Sequence, residues 1–185
     1  MVLRPMTVEE FDEFVLRPKN IGGDFEFIGG RIYDTLSSPL ASATAARIGG
    51  FLGIYLLQND IGHLTGADGG YIVSGERYIP DVAFISYAKQ PELSYADGYN
   101  PNPPDLAVEV LSPSNDDEKM RIKIQNYLAA GTLVWVVNLE KQQIEVYRRG
   151  QPVQIVGVDR VLDGGDVLPD FKLAVKDIFA TRQGE

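Results

Sequence analysis

The stretch PDLAVEVLSPS, residues 104–114, holds an apolar run with a single carboxylate, Glu109, in its middle. A short apolar run that starts at Pro-Asp and ends at Ser-Pro predicts a β-strand over residues 104–112, with both faces buried. An ionised carboxylate is costly to bury without a partner. The stretch therefore predicts a central strand of a sheet, and it raises the question of which cation accompanies Glu109.

The segments on either side of this strand alternate between helix and strand patterns. In chain order, the predicted elements are a helix at 41–58, strands near 63–67, 70–74 and 80–86, the strand at 104–112, a helix at 116–130 that ends at Gly131, and a fully buried strand at 133–139. This order is an αβββαβ series with one additional strand between the two helices, and it predicts an α/β (α+β) fold with a mixed central sheet flanked by helices.

Shorter elements are expected at both ends of the chain. Thr7 and Glu10 form a capping-box pattern that predicts a short helix to about Val15. Residues 25–36, FEFIGGRIYDTL, predict an N-terminal β-hairpin around the Gly-Gly pair. Residues 141–149 are expected to pair with the strand at 133–139, and a further strand pair and a closing helical turn follow. No linker or repeat is visible, so one domain spanning residues 1–185 is expected.

Composition limits the classes of function. The chain has 185 residues, no cysteine, one histidine (His63) and a net charge of −9. Disulfide, thiolate, histidine-triad and multi-histidine zinc chemistry are therefore excluded or disfavoured, and a cytoplasmic location is expected. The acidic balance disfavours a general high-affinity nucleic-acid binder but allows a local basic surface. No signal peptide or membrane-spanning run is apparent, so no membrane partner is expected.

Asp81 and Glu109 are the main candidates for chemistry. If their strands are neighbours, the two carboxylates converge, and like charges at close range favour a cation between them. Mg²⁺ uses one or two carboxylates together with water and phosphate oxygens. Two structural alternatives stay open: Asp81 could cap a strand after Pro80, and Glu109 could pair with a buried Arg or Lys. Asp105 lies on the same strand face as Glu109 but is expected to be exposed at the strand edge.

The helix at 116–130 supplies cations. Lys119 and Lys123 are four residues apart and share one face. For Lys119 and Arg121 a solvated helix face is the favoured interpretation. Lys123 can reach back toward the sheet if Tyr127 and Leu128 pack there.

The segments RYIPDVAFIS, PPDLAVEVLSPS and KIQNYLAAGTLVWVVN occur in this order, and together they resemble the Uma-two family of restriction-endonuclease-like domains. The resemblance runs from about Thr7 to Phe179. The set of Pro80-Asp81, Glu109 and a downstream Lys is similar to the PD-(D/E)XK nuclease superfamily, which implies a restriction-endonuclease-like fold.

The resemblance also implies roles for residues. Mg²⁺, or Mn²⁺ in its place, would be bound by Asp81, Glu109 and the carbonyl of Val110. Lys123 would orient the attacking water or stabilise developing charge, and Glu26 would tune the metal or help as a base. The superfamily's usual E-x-K would place Lys at position 111, where this chain has Leu111. Lys123 matches the migrated lysine of the family.

The chain lacks one histidine that is common in the family, and it has two serines that are candidates for phosphate contact. Many members of the family have a histidine near the start of the first long helix, and this chain has none there. Ser112 and Ser114 could contact a phosphate, although an N-cap of the following helix is the favoured role for Ser114.

Three classes of function are therefore expected to compete. The first is a Mg²⁺-dependent endonuclease acting on DNA. The second is a non-catalytic binding or assembly module on a nuclease-like fold. The third, a two-carboxylate glycosidase, has no support beyond the carboxylates themselves. A homodimer is also expected from the general frequency of dimers, with the apolar segments at 133–139 and 167–179 as candidate faces.

Overall fold

The computed structural model describes residues 4–35, 37–95, 98–112 and 117–179. The elements, in chain order, are α1 Val8–Val15, β1 Phe25–Ile28, β2 Arg31–Asp34, α2 Pro39–Gln58, β3 Gly62–Thr65, β4 Tyr71–Val73, β5 Glu76–Tyr78, β6 Val82–Ser86, β7 Leu106–Leu111, α3 Asp117–Ala129, β8 Leu133–Asn138, β9 Gln143–Tyr147, β10 Gln154–Gly157, β11 Val161–Asp163, β12 Lys172–Ala174 and α4 Val175–Ile178.

A mixed six-stranded sheet forms the centre, in the order β10-β9-β8-β7-β6-β3. β7 and β8 are parallel, and α3 makes the crossover between them, whereas the other pairs are antiparallel. A second, four-stranded sheet has the order β2-β1-β5-β4. The predicted fold class, a mixed central sheet flanked by helices, is confirmed.

The local signals in the sequence act as expected at the N-terminus. Thr7 and Glu10 form both hydrogen bonds of a capping box at the start of α1. Gly29 and Gly30 join β1 to β2 with positive φ angles of 57° and 76°, a conformation that glycine adopts without strain. Ser38 caps α2, which begins at Pro39 rather than at the predicted residue 41.

Helices α2 and α3 cover opposite faces of the central sheet. Under α2 lies an apolar cluster that includes Val108, Val110 and Trp135. Under α3 lies a second cluster that includes Ala107, Val136 and Tyr127. Because side chains alternate along a strand, successive residues of β7 enter different clusters.

Helix α2 is, within the described ranges, the one helix long and apolar enough to cross a membrane by length and composition. The sequence was expected to contain no such segment. A single helix of this kind is weak evidence for a span, because core helices have the same composition. One face of α2 is buried in the apolar cluster of the sheet, through Ala41, Ala45, Ile48 and Leu52.

Two expectations need correction. The two apolar segments considered as dimer faces are buried within the chain: Val134 and Trp135 lie inside the sheet, and Phe171 and Val175 belong to the cluster under α2. β5 was not anticipated, because three residues in a turn-rich segment give little periodicity. The role expected for Ser114 falls outside the described residues.

Candidate active site

Glu109 lies near the end of β7 on the face that α3 covers. It shares this face with Ala107, and only 5% of the residue is exposed. β7 is flanked by β6 and β8, so water cannot reach Glu109 from either strand edge. Its charge must therefore be balanced by groups from α3 or from the second sheet.

Lys123 supplies that balance from α3. Its Nζ lies 2.6 Å from Oε1 and 2.7 Å from Oε2 of Glu109. One helical turn further on, the Tyr127 hydroxyl donates a hydrogen bond of 2.9 Å to Oε1 of Glu109. Lys123 and Tyr127 are four residues apart and share one helix face, so a single turn of α3 engages both oxygens of the carboxylate.

Glu26 approaches the same ammonium from β1 in the second sheet. Its Oε1 lies 2.7 Å from Nζ of Lys123, and its Oε2 lies 2.8 Å from Nζ of Lys119. The backbone N–H of Ile79 donates a further hydrogen bond of 3.0 Å to Oε1. Glu26 and Lys123 are each only 2% exposed. The result is a buried chain of charges in which Lys123 bridges two carboxylates from different sheets.

Tyr78, on β5, contacts both Lys123 and Tyr127. Its ring lies 5.6 Å from Nζ of Lys123 and packs edge-on against the Tyr127 ring. The Tyr78 hydroxyl donates to Oε2 of Glu76 and accepts a hydrogen bond of 2.6 Å from Nδ2 of Asn126. These bonds link β5 to α3.

The electrostatics keep Lys123 charged. Burial lowers the pKa of Lys123, but Glu109 and Glu26 outweigh that effect and hold the pKa above its usual value. Burial raises the pKa of Glu26, but the ammonium groups of Lys123 and Lys119 outweigh it and hold the pKa below its usual value. Lys123 and Glu26 therefore form a true ion pair across the neutral range.

Glu109 behaves differently. Burial raises its pKa, Lys123 lowers it, and the negative charges of Glu26 and Asp81 raise it again, so that the pKa of Glu109 is about 7. The cluster contains three carboxylates, Glu26, Asp81 and Glu109, against the two ammonium groups of Lys119 and Lys123. Carboxylates therefore outnumber ammonium groups in the cluster, which is one cause of the raised pKa of Glu109.

Asp81 directly precedes β6 and lies at the end of this internal strand of the central sheet. Val82 pairs with Val108, so extending the antiparallel register by one residue places Asp81 opposite Glu109. Oδ2 of Asp81 accepts a hydrogen bond of 2.6 Å from the backbone N–H of Val110. Burial raises the pKa of Asp81, and the bond from Val110 and the charge of Lys123 only partly oppose this.

A cavity of about 280 Å³ opens beside Asp81. Its walls come from α2, through Ser42, Ala46 and Gly49, and from the loop after β3, through Gly66. Asp81 is half-buried and lines this cavity, while burial and charge link it to the cluster under α3. Asp81 is therefore the member of the cluster that lies next to an accessible space, on the α2 side of the sheet.

The donor set suits Mg²⁺ in its chemistry. Asp81 and Glu109 offer carboxylate oxygens, and a strand residue points its N–H and C=O to the same neighbour, so the carbonyl of Val110 faces the Asp81 side. Residues 4–35, 37–95, 98–112 and 117–179 contain no group of three or more His, Cys, Asp or Glu side chains placed to hold a metal. Two carboxylates and a carbonyl are nevertheless sufficient for an ion that keeps several waters.

The structure brings together four of the residues singled out from the sequence: Glu26, Asp81, Glu109 and Lys123. Lys119 and Tyr127 are part of the same cluster and were missed. Lys119 was expected to be solvated, but it contacts Glu26 and its Nζ lies 4.9 Å from the ring of Tyr33. The spacing of Lys119, Lys123 and Tyr127 by four residues was the signal that could have identified them.

Two other candidates lie outside the cluster. Asp105 was expected to be exposed, but it is half-buried, pairs with Lys89 at 2.8 Å and accepts a hydrogen bond of 2.7 Å from the N–H of Ser86. His63 packs edge-on against Tyr87, and its Nε2 lies 3.1 Å from the carbonyl of Pro91. Both residues have local structural contacts.

The fold is that of a nuclease-like α+β protein. The family model for Uma2, described as "Putative restriction endonuclease", matches residues 8–176, and the chain belongs to this family. The chain is also similar to a crystal structure described as a putative nuclease belonging to DUF820 from Anabaena variabilis. The TM-score is 0.81 at 20% identity, over 95% of this chain and 98% of that one, so this likeness concerns the fold. None of the curated proteins matches the sequence.

Proposed function

We propose that the protein is a Mg²⁺-dependent endonuclease that hydrolyses phosphodiester bonds of DNA, with Mn²⁺ able to replace Mg²⁺. The observation that carries this proposal is the placement of Asp81 opposite Glu109, where Asp81 accepts a hydrogen bond from the N–H of Val110 and Glu109 lies beside Lys123. Membership of a family described by a nuclease activity supports the same class of reaction.

In this proposal Asp81, Glu109 and the carbonyl of Val110 hold the metal. A bound Mg²⁺ lowers the pKa of a coordinated water and offsets the charge of the phosphate. The chain's own residues do the rest. Lys123 supplies a positive charge that orients the attacking water or stabilises the developing charge. Glu26 fixes that ammonium, and Lys119 adds a second positive charge nearer the surface.

Metal binding is the direct test. Isothermal titration of the wild-type protein with Mg²⁺ and Mn²⁺ is expected to give a binding signal, and Asp81→Ala and Glu109→Ala should each weaken it by about tenfold or more. Asp105→Asn is the matched control, because Asp105 is a carboxylate at the start of the same strand but outside the cluster. Wild-type protein that binds neither ion would remove the metal from the proposal.

Nicking of supercoiled plasmid tests the reaction itself. Activity should require Mg²⁺ or Mn²⁺, be lost in Asp81→Ala and Lys123→Ala, and persist in Asp105→Asn. Activity that survives in Asp81→Ala would show that the cut is made elsewhere or by a contaminant.

A second candidate is a non-catalytic binding or assembly module. It is favoured by the contacts of Glu109, whose two oxygens are already engaged by Lys123 and Tyr127, and by the net charge of −9. This candidate predicts no metal binding and no nicking. For both candidate functions we propose a cytoplasmic location and a homodimer. Sedimentation of the purified protein tests the homodimer.

A further inference from the structure

The ammonium of Lys123 occupies the place where Glu109 would meet a metal ion. It contacts both oxygens of Glu109 at 2.6 and 2.7 Å and one oxygen of Glu26 at 2.7 Å. A divalent cation that binds Glu109 must take at least one of these contacts. Lys123 and the metal are therefore alternative partners of one carboxylate.

We infer that Lys123 is the resident counter-ion of Glu109 and competes with the divalent cation for it, and that Glu26 is the positioning residue that retains the ammonium after the exchange. This inference rests on the proposed metal site and adds an order of events to it. Lys123 leaves Glu109 as the metal binds, keeps its bond to Glu26, and becomes available to the attacking water or the phosphate.

Glu26 has the properties that such a role needs. It lies on β1, in the second sheet, so its position does not depend on β7. Its carboxylate is fixed by the N–H of Ile79 at 3.0 Å and by Lys119 at 2.8 Å. When Lys123 releases Glu109, these bonds remain in place, so the ammonium keeps one carboxylate partner.

Charge balance favours the exchange. Three carboxylates, Glu26, Asp81 and Glu109, share two ammonium groups, and both ammonium groups contact Glu26. The two lysines alone therefore do not neutralise Asp81 and Glu109 together. At pH 8.5, with all three carboxylates ionised, a divalent cation turns a single excess negative charge into a single excess positive charge, and a phosphodiester group then restores neutrality. The site is thus suited to hold metal and phosphate together rather than either one alone.

The test uses two variants with opposite expected effects, measured by Mn²⁺ titration of the full chain at pH 8.5. Lys123→Met removes the competing charge at similar length, so Mn²⁺ affinity should rise by about tenfold or more. Glu26→Gln keeps the shape but removes the alternative partner of Lys123, which is then held more firmly by Glu109, so affinity should fall several-fold. Loss of folding would weaken binding in both variants and cannot produce opposite signs.

Other outcomes separate the inference from the proposed function. Equal affinity in wild type and Lys123→Met would overturn the competition while leaving the metal site intact. Weaker binding in Lys123→Met would do the same, because Lys123 would then support the site. No binding in wild type but clear binding in Lys123→Met would support the competition, while it would remove the Mg²⁺-dependent reaction proposed for the wild-type protein.

Absence of binding in wild type and in Lys123→Met would remove the proposed metal site, and the inference with it. Thermal unfolding in EDTA checks that each variant is folded. If Lys123→Met does not fold, Lys123→Gln, which retains a hydrogen-bond donor, takes its place, with a gain in affinity again expected.

Discussion

The two faces of the central sheet are built from the same strands but have opposite chemistry. On the α2 face, Val108, Val110 and Trp135 pack into a wholly apolar cluster. On the α3 face, Ala83 and Ala107 are small, and the space above them is taken by the long side chains of α3. The small residues make room for Lys123 and Tyr127 over Glu109. A difference of one position along β7 thus separates a core from a candidate active site.

The faces also differ in how their polar atoms are paired. On the α3 face, the carboxylates of Glu26 and Glu109 each have partners from two elements. On the α2 face, the indole N–H of Trp135 is, among the described side chains, the fully buried polar atom without a hydrogen-bond partner. The charged face is therefore better satisfied than the apolar one, although its groups are far harder to bury.

Lys123→Ala should have the largest effect on stability, because it removes the ion pairs of Lys123 with Glu26 and Glu109 on the α3 face. It leaves Glu26 and Glu109 buried near each other with no ammonium between them, and the loss of one partner of a buried ion pair costs about 3–5 kcal/mol. Urea unfolding at pH 7.5 measures the free energy of unfolding. Arg121→Ala is the control, because Arg121 is exposed on the same helix and its loss should change little. A loss below about 1 kcal/mol in Lys123→Ala would mean that the cluster does not hold the two sheets together.

Glu109→Gln should change how the free energy of unfolding depends on pH, which a substitution on the apolar face should not do. The pKa of Glu109 is raised to about 7 in the folded protein, from an ordinary value of 4.5. Between these values the folded state binds the proton more tightly than the unfolded state, so this group's contribution to stability falls as pH rises from about 4.5 to 7. The free energy of unfolding of wild type should fall relative to Glu109→Gln across this window, by up to about 3 kcal/mol, and the difference should be constant above it.

Urea unfolding at several pH values measures this difference. A variant on the apolar face, Val108→Ala, should lose the same free energy at every pH, because no ionisable group is altered. A pH-independent difference between wild type and Glu109→Gln would contradict the raised pKa.

Much of the fold could be predicted because its signals are local. The capping box of Thr7 and Glu10, the glycine pair between β1 and β2, and the apolar run of β7 each act within a few residues. The cluster depends instead on tertiary placement. Lys119 has the sequence context of a solvated lysine, and only the approach of β1 from the second sheet brings Glu26 to it. Asp81 and Glu109 could be selected from the sequence alone, because a carboxylate within or beside an apolar strand is unusual in any context.

The smallest expected effect comes from removing one polar atom from an aromatic ring on each face. Tyr127→Phe deletes the hydroxyl that donates to Glu109, which leaves a buried carboxylate oxygen with one bond fewer and should cost about 1–3 kcal/mol. Trp135→Phe deletes an N–H that has no partner, so the gain from losing it offsets the space left by the smaller ring, and the net change should stay within about 1 kcal/mol. Both are measured by urea unfolding at pH 7.5. If Trp135→Phe loses more stability than Tyr127→Phe, packing on the α2 face outweighs hydrogen bonding on the α3 face, and the charged cluster contributes less to the fold than its bonds imply.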